Sequence, residues 1–407
     1  MKALFLHTFY YEKGGEDVVF NAERDLLKGV AEIETLTFKN LTGIKGAFSL
    51  FFSIWNLAAA KKIRRKIQQF RPDVVHIHNW HFGMGPIAIR VARKMGVPVV
   101  VTLHNYRLMC PSATFYGREG IQLKSMEQEF PWSAIRQGMY RNSIVLTFWL
   151  SFVNWFHARI GTFAKVNRFI VQTDFAKTVF AGNFLGIDPK NIIVKPNFIP
   201  DIPENGVERI SEFLFVGRLS KEKGISIMLE AFSKTNLPLS IIGEGPLRNE
   251  VEKYCRHHTN ISYSGFRDRD YIYFSMKRAS ALVFPSVWFE GMPITILEAF
   301  ANGTPVIASN LGAMSTMITD NYNGIHFTAS NADSLSDALN RWNNFSVQER
   351  MQLSSNARNT YLEKYSPEKN RYQLLEIYRD IMTSNNTHLL APIKSPTTKE
   401  TPAVELA

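Results

Sequence analysis

The sequence predicts an α/β protein with two Rossmann-like, parallel-sheet domains. Its 407 residues are 45% apolar and 20% charged, which suits a globular protein too long for one comfortable core. Short β-branched runs alternate with longer segments of helical period, the pattern of parallel strands joined by crossover helices. The pattern breaks at residues 197–210, where turns with proline and glycine replace it. We expect the two domains to meet there.

The strands of each domain are predicted from runs that end in polar or turn residues. The predicted domains are 1–200 and 201–365. In the first, the predicted strands are KALFLH, AEIETLTF, DVVHIHN, VPVVVTLHN, NRFIVQT and NIIVKPN. In the second, they are EFLFVG, PLSIIG, NISYSG, SALVFP and TPVIAS, with helices near residues 224–235, 246–258, 268–278 and 294–302.

The end of the chain is predicted as one helix and a tail. Ser366 and Pro367 suit the N-cap and first turn of a helix with a single apolar stripe over 366–383. Residues 384–407 are rich in Thr, Pro, Ser and Asn and have little to bury, so we expect a disordered tail.

Charge and cysteine content restrict the partners and the compartment. Residues 1–200 hold 26 Lys and Arg against 13 Asp and Glu, whereas residues 201–407 hold 21 against 23. The first half should therefore attract anions: an anionic membrane or a phosphate-bearing substrate, since no motif that reads nucleic acid accompanies the charge. Three features favour the cytoplasm. The two cysteines lie far apart without metal-ligand or redox spacing, the sequence has no long apolar run, and it shows no cleavable leader.

Two acids stand at the start of one predicted helix, in VWFEGMPITILEAFANGTPVIAS. Glu290 precedes the helix, and Glu298 lies about two turns into it, so the two side chains can meet different parts of one ligand. Backbone N–H groups near residues 292–295 would face a phosphate. Taken alone, such acids are more often surface carboxylates that favour the helix dipole.

Cations follow an earlier strand, in FVGRLSKEKGISIMLEAF. Arg218, Lys221 and Lys223 lie between the strand end at Gly217 and a helix opened by Gly224. Ligands bind at the carboxyl edge of such sheets, and a helix start disfavours cations unless an anion is present. These cations therefore suit a diphosphate leaving group.

With these residues in place, the chain resembles the family-four retaining glycosyltransferases of the GT-B fold over roughly residues 1–380. The resemblance includes Arg218, Lys223, Glu290 and Glu298, together with GEGPL, SGF, GGEDVV and LHNYRLMCP. It implies two facing domains, with the terminal helix returning to the first. It also implies retention by front-face attack without a metal or other cofactor.

The resemblance also assigns roles. Arg218 and Lys223 would hold the donor diphosphate, Glu290 the sugar hydroxyls and Glu298 the ribose, and His104 would line the reaction centre. These make His104, Arg218, Lys223 and Glu290 the predicted catalytic residues. The remaining predicted donor-binding residues form the glycine turn after the first strand, the base pocket and the helix start: Gly14, Gly15, Gly217, Gly243, Gly245, Phe266, Gly291, Met292, Pro293 and Ile294.

Three other patterns in the sequence suggest different chemistry. His76 and His78 of HIHNWH alternate on one strand face and, with His81, could be metal ligands, but the resemblance places this strand end on the acceptor side. Asp268 and Asp270 suit helix capping better than a metal site. Gly243-Glu-Gly245 begins a dinucleotide fingerprint, but Arg248 occupies the third glycine position, which disfavours a dehydrogenase.

Two aromatic stretches, 47–67 and 143–160, lie in the basic half. Their tryptophans and the cations at 61–66 are typical of helices lying on anionic lipid. The alternative is that Phe51, Ile54 and Leu57 face the core, and core packing is equally open for the second stretch. We expect a cytoplasmic protein, peripheral at the inner face of the cytoplasmic membrane.

The predicted activity is transfer of a hexose-type sugar from a nucleotide-diphosphate sugar. Its acceptor would be the hydroxyl of a saccharide, such as one linked to polyprenyl diphosphate in cell-surface polysaccharide synthesis (O-antigen, capsule or exopolysaccharide). The alternatives are a nucleotide-sugar epimerase or phosphorylase with the same fold, and an inactive saccharide- or nucleotide-binding module. Spacing specifies neither UDP nor GDP.

Overall fold

The computed structural model describes residues 1–10, 14–40, 43–118, 120–182, 184–203 and 208–389. It contains two six-stranded parallel sheets, one on each side of residues 195–212. The predicted two-domain α/β class is confirmed, and the predicted boundary between residues 200 and 201 falls in the segment between the sheets.

The first sheet has the strand order β2-β1-β3-β4-β7-β8, and all its pairs are parallel. Its strands, with a small hairpin (β5, β6), are β1 Lys2–Phe9, β2 Glu32–Lys39, β3 Val74–Asn79, β4 Val99–Thr102, β5 Tyr116–Gly117, β6 Gly120–Ile121, β7 Arg168–Val171 and β8 Ile192–Val194. The helices are α1 Gly15–Leu26, α2 Gly43–Phe52, α3 Leu57–Phe70, α4 Ile87–Lys94, α5 Lys124–Glu127, α6 Trp132–Arg136, α7 Ile144–Arg159 and α8 Asp174–Ala181.

The second sheet has the order β11-β10-β9-β12-β13-β14, again parallel throughout. Its strands are β9 Phe213–Val216, β10 Leu239–Ile242, β11 Ile261–Tyr263, β12 Ala281–Phe284, β13 Val306–Ser309 and β14 Gly324–Phe327. The helices are α9 Ile225–Thr235, α10 Arg248–His257, α11 Arg269–Arg278, α12 Ile294–Ala301, α13 Ala313–Met317, α14 Ala332–Asn343 and α15 Val347–Lys364.

The terminal helix, α16 Pro367–Leu389, packs on the first domain. Its Leu374 and Tyr378 share a buried cluster with Phe5 of β1 and Ile170 of β7. The helix extends to Leu389, six residues beyond the predicted 383, and no proline or glycine interrupts residues 384–389. Residues 390–407 of the predicted tail lie outside the described residues.

The strand order reverses between β1 and β3 in the first sheet and between β9 and β12 in the second. At such a point the loops leaving the two neighbouring strands diverge, and a crevice opens at their carboxyl ends. The Gly14–Gly15 turn follows β1, His78 lies in β3, Lys223 follows β9 and Glu290 follows β12. The fold therefore places predicted site residues at both crevices.

Candidate active site

The loops after β9 and β12 are packed tightly against each other. Gly224, with φ 69°, opens α9, and a Cβ there would lie 2.0 Å from the carbonyl oxygen of Pro285. Only glycine allows this approach together with this backbone conformation. The loop that carries Lys223 is therefore held directly beside the loop that carries Glu290.

Lys223 and Glu290 form an ion pair at this point. Lys223 Nζ lies 2.6 Å from Glu290 Oε1, and Ser286 Oγ donates to the same oxygen at 2.6 Å. The Lys223 ammonium also lies 5.3 Å from the ring centre of Phe284 and 5.4 Å from that of Trp288. Glu290 is only 9% exposed, so the carboxylate is oriented before any ligand arrives.

Glu298 and Arg218 do not join that pair among the contacts of the described residues. Glu298 accepts a hydrogen bond from Tyr273 at 3.3 Å and lies 3.9 Å from an Arg269 nitrogen of α11. Burial raises the pKa of the Glu298 carboxyl, against the opposing effect of Arg269. Arg218 is exposed, immediately after Gly217.

The predicted base pocket is built on close backbone packing. A Cβ on Gly243, whose φ is 144°, would lie 1.9 Å from the Gly217 carbonyl oxygen, and one on Gly245 would lie 2.4 Å from that of Leu219. These glycines are needed for packing, whatever they bind. Phe266, in the next loop, is 75% exposed.

The start of α12 reaches the first domain. Pro293 occupies its N-cap and Ile294 its first position, while Met292 Sδ accepts a hydrogen bond from the Asn197 backbone at 3.1 Å. A Cβ on Gly291 would lie 2.5 Å from the carbonyl oxygen of His104. Gly291 therefore lets the loop that carries Glu290 touch the strand end that carries His104.

Further contacts join the domains here. The Tyr106 hydroxyl donates to the Glu290 carbonyl oxygen at 3.3 Å. The Phe289 ring lies 4.9 Å from that of Phe175 and belongs to the buried cluster of the first domain. The structure thus brings His104 and Glu290, from different domains, to the same interface.

On the first-domain side, Gly14 is the N-cap of α1, and its N–H donates to Asp17 Oδ2 at 3.1 Å. Gly15 is exposed, and a Cβ there would meet nothing within 4 Å among the described residues. Neither glycine is required by packing, which leaves room for a ligand at this helix start.

His104 lines a small cavity of about 20 Å³ together with Glu16, His78, Asn79 and Asn105. Burial lowers the pKa of His104 to about 3, although Glu23 acts in the opposite direction. His104 is therefore a neutral imidazole at physiological pH.

Comparison with known proteins identifies the family. Residues 41–201 match the model of Glycosyltransferase Family 4, and residues 201–360 match that of Glycosyl transferases group 1. The chain belongs to the family-four glycosyltransferases. This glycosyltransferase is 26% identical over 376 residues to a glycosyltransferase of Methanocaldococcus jannaschii, covering 86% of this chain and 87% of the relative.

A second relative is the UDP-Gal:alpha-D-GlcNAc-diphosphoundecaprenol alpha-1,3-galactosyltransferase of Escherichia coli, 27% identical over 373 residues, with 85% of this chain and 82% of the relative covered. Among solved structures, Anabaena HepE in complex with UDP superposes with a TM-score of 0.66 at 16% identity, covering 93% of this chain and 100% of HepE. The predicted GT-B architecture of the glycosyltransferase is confirmed.

Two polar residues of this glycosyltransferase, Glu16 and Asn105, flank predicted site residues but were not themselves predicted. Glu16, next to Gly15, accepts a hydrogen bond from Asn105, next to His104. Burial raises the pKa of the Glu16 carboxyl, despite the nearby Arg107. Glu16 lies in the motif GGEDVV and Asn105 in LHNYRLMCP, both noted in the sequence. Their position beside Gly15 and His104 was the signal that could have identified them.

The aspartate and histidine residues considered as metal ligands make other contacts in the glycosyltransferase. Asp268 Oδ1 accepts from the Tyr271 N–H at 2.8 Å, so its predicted capping role is confirmed. Ligand atoms of Glu23, His76 and His78 lie within 4.8 Å of one another, as a metal site would require. However, the Lys195 ammonium lies 2.6 Å from Glu23, so a cation of the chain already occupies that carboxylate.

Proposed function

We propose that this glycosyltransferase moves a hexose-type sugar, with retention, from a nucleotide-diphosphate sugar to a hydroxyl of a lipid-linked saccharide at an anionic membrane. The observation that carries the proposal is the Lys223–Glu290 pair at the second sheet's strand-order reversal, beside the Gly291–His104 contact. Lys223, the cation proposed for the leaving group, and Glu290, the acid proposed for the sugar, thus lie next to the end of β4 that carries His104.

The donor assignment rests on the loops around this pair. Lys223 and Arg218 would neutralise the diphosphate, and the N-terminus of α12 would face it with free N–H groups. Both side-chain hydrogen bonds that the described residues donate to Glu290 fall on Oε1, so Oε2 is the oxygen proposed to accept sugar hydroxyls. Glu298, about one turn along α12, would accept the ribose hydroxyls. HepE has been solved with UDP and with UDP-glucose, which supports a UDP-type donor as the first to test.

The mechanism that suits these groups is front-face attack. The bond from the anomeric carbon to the diphosphate oxygen breaks, the acceptor oxygen bonds to the same face, and the departing phosphate oxygen takes the acceptor proton. The chain contributes positioning and stabilisation of the leaving charge, here by Lys223, Arg218 and the α12 N-terminus. Since protein cations supply that charge, we propose that no metal is required.

The membrane proposal rests on what we term the aromatic surface. Phe51 and Leu57, which could have faced the core, are 58% and 69% exposed. Ring contacts continue the surface from Phe51 to Trp149 at 4.9 Å and from there to Phe152 at 5.7 Å. Its exposed members, from α2, α3, α6 and α7 and the segment between α2 and α3, are Phe48, Phe51, Phe52, Trp55, Leu57, Trp132, Ile144, Val145 and Phe148.

A basic groove of about 1060 Å³ continues from this surface. Trp55 lies at the junction, with the Arg90 guanidinium 5.8 Å from its ring centre. No carboxylate is found among the described lining residues, whose cations are Arg64, Arg90, Arg93, Lys94, Lys165 and Arg168. Exposed rings beside a cationic groove suit an interfacial protein on anionic lipid. None of the described helices is long and apolar enough to cross a bilayer.

The test is turnover of UDP-sugars with and without a polyprenyl-diphosphate-linked monosaccharide, with and without EDTA. The expected product is the acceptor extended by one sugar whose anomeric configuration equals that of the donor, formed equally well with EDTA. An inverted product would overturn retention, and loss of activity in EDTA would overturn metal independence. Donor converted without acceptor would indicate an epimerase, and donor cleaved only with inorganic phosphate a phosphorylase.

A further inference from the structure

The motif HIHNWH has one histidine that none of the roles above uses and that contacts the predicted reaction centre. His78 is 3% exposed and lies between Glu23 of α1 and His104. Its Nδ1 is 3.3 Å from His104 Nε2, and the two rings stack with centres 5.4 Å apart. His78 is therefore a side chain through which the domain interior can orient His104.

On its other side, His78 faces a carboxylate. His78 Nε2 lies 3.6 Å from Glu23 Oε2, and neither atom has a hydrogen-bond partner among the described residues. The other oxygen, Glu23 Oε1, lies 2.6 Å from Lys195 Nζ, with both side chains 1% exposed. Lys195 in turn donates to Asn370 of α16 at 3.0 Å. The row thus runs from the terminal helix through Lys195, Glu23 and His78 to His104.

The charge states along the row follow from these contacts. Burial alone would raise the pKa of Glu23, but its polar neighbours together, Lys195 foremost among them, lower that pKa below its usual value. Glu23 is therefore an anion. Burial lowers the pKa of His78 well below its usual range and that of His104 as well, so both rings are neutral.

A neutral imidazole carries one N–H, and a carboxylate can only accept. The Glu23 anion therefore favours hydrogen on His78 Nε2, so His78 Nδ1 becomes an acceptor. That acceptor in turn favours hydrogen on His104 Nε2. His104 Nδ1 is then left with a lone pair.

We propose that Glu23 and His78 are positioning residues of the transfer: they hold His104 in one orientation and as the Nε2–H tautomer, so that its Nδ1 accepts a hydrogen bond from a substrate hydroxyl. The assignment rests on the proposed function, because it gives His104 a substrate. It explains why a buried carboxylate and a buried ammonium are kept behind the strand end that carries His104.

His76 is a matched neighbour for testing this. It is fully buried, its ring lies 4.3 Å from that of His78, and its two nitrogens bond Tyr378 and Thr102 at 2.7 Å each. Losing it should disturb packing at least as much as losing His78. It makes no contact with His104 among the hydrogen bonds of the described residues.

The first experiment needs no activity. In the full-length protein labelled with ¹⁵N-histidine, ring nitrogen shifts report which nitrogen carries hydrogen. We expect Nε2–H for both His78 and His104 and a bare Nδ1 on each. A His104 that carries its hydrogen on Nδ1, or one that exchanges between tautomers, would overturn the proposal even if the enzyme is active.

The second experiment is a kinetic cycle with His78→Phe, His76→Phe, His104→Ala and the double variant His78→Phe/His104→Ala. His78→Phe should lower kcat about 10- to 100-fold, on the scale of removing a partner that orients a metal-ligating histidine, with donor KM nearly unchanged. His76→Phe should retain kcat within about threefold. In the His104→Ala background, His78→Phe should have no further effect, because its action passes through His104.

Equal kcat losses in His78→Phe and His76→Phe, or additive effects of His78→Phe and His104→Ala, would overturn the positioning role. A wild-type protein that transfers no sugar from any donor would instead contradict the proposed function. The tautomer measurement would still decide whether the row controls His104. The two failures are therefore distinguishable.

Discussion

Lys223 and Glu290 lie 67 residues apart in the chain, yet Lys223 Nζ is 2.6 Å from Glu290 Oε1. The pair joins the loops that follow β9 and β12, the two strands between which the strand order reverses. Lys223, proposed to stabilise the leaving charge, is thereby held in place by Glu290, proposed to bind the sugar. Such preorganisation lowers the cost of arranging charges during the reaction.

Replacing the cation should therefore slow the chemical step. Lys223→Met is expected to raise the barrier by about 2–4 kcal/mol, or roughly 30- to 1,000-fold in kcat, by comparison with loss of one oxyanion donor. Steady-state kinetics on the best donor would measure this. Lys253→Met, which removes an exposed cation of α10, is the matched control and should leave kcat unchanged. A Lys223→Met enzyme with wild-type kcat would remove Lys223 from the mechanism.

Glu298→Gln should separate stability from donor binding. Burial raises the pKa of Glu298, so the folded state binds its proton more tightly than the unfolded chain. Ionised Glu298 therefore lowers the free energy of unfolding of the donor-free protein above the unfolded pKa. This loss disappears as the pH falls below about 4.3. Glutamine can still accept the Tyr273 hydrogen bond. We expect a higher Tm for the variant at pH 7, converging with wild type at acid pH.

The same variant should bind donor more weakly, because a neutral amide accepts ribose hydroxyl hydrogens less strongly than a carboxylate does. Donor KM should rise about tenfold with kcat little changed, as expected for uniform binding. Thermal stabilisation by UDP provides a second measure of the same loss. A variant with unchanged donor KM would show that Glu298 does not contact the donor.

The fold was predictable because its signals are local. Strands of a parallel sheet are buried on both faces and appear as continuous apolar runs, as in β12, where all four residues are buried. Capping residues such as Asp268 and Ser366 marked helix starts from the sequence alone. Periodicity also showed that the stretch around Phe51 has an apolar face, but it could not show whether that face meets the core or solvent.

Part of the site was predictable and part was not. Lys223 and Glu290 stand in long motifs, so the sequence singled them out. The Glu23–Lys195 pair spans 172 residues and has no local pattern, because which strands become neighbours is a property of the whole sheet. For the same reason, the contacts of His78 with Glu23 and with His104 became apparent only when α1, β3 and β4 were placed side by side.

The Glu23–Lys195 pair should also be important for stability. Lys195→Met leaves a buried carboxylate without its cation, which is expected to cost about 3–5 kcal/mol in the free energy of unfolding. The double variant Glu23→Gln/Lys195→Met should recover most of this loss, because no unpaired charge remains. Urea unfolding monitored by circular dichroism would measure both. Equal destabilisation of the single and double variants would contradict the pairing.

The pH dependence of that pair has a definite sign. Because the folded pKa of Glu23 is lowered, its stabilising effect is complete above the unfolded value, about 4.3, and is lost as the pH falls through the folded value. The stability advantage of wild type over the Lys195→Met variant should therefore shrink as the pH falls below about 4.3. A difference that stays constant down to the folded pKa would mean that the carboxylate is not the group responsible.

The aromatic surface gives the last prediction. Phe51→Ser/Leu57→Ser removes two exposed apolar side chains and should abolish most cosedimentation with vesicles that contain phosphatidylglycerol, since apolar insertion and charge attraction act together. Val347→Ser/Met351→Ser is the matched control: these residues of α15 are 66% and 67% exposed and lie in the second domain.

Wild-type binding should weaken from low to high salt and be weak on phosphatidylcholine alone, because exposed cations are screened within about 10 Å at 0.1 M salt. Binding that is insensitive to salt and lipid charge, or equally reduced in both double variants, would show that this face does not dock on anionic lipid.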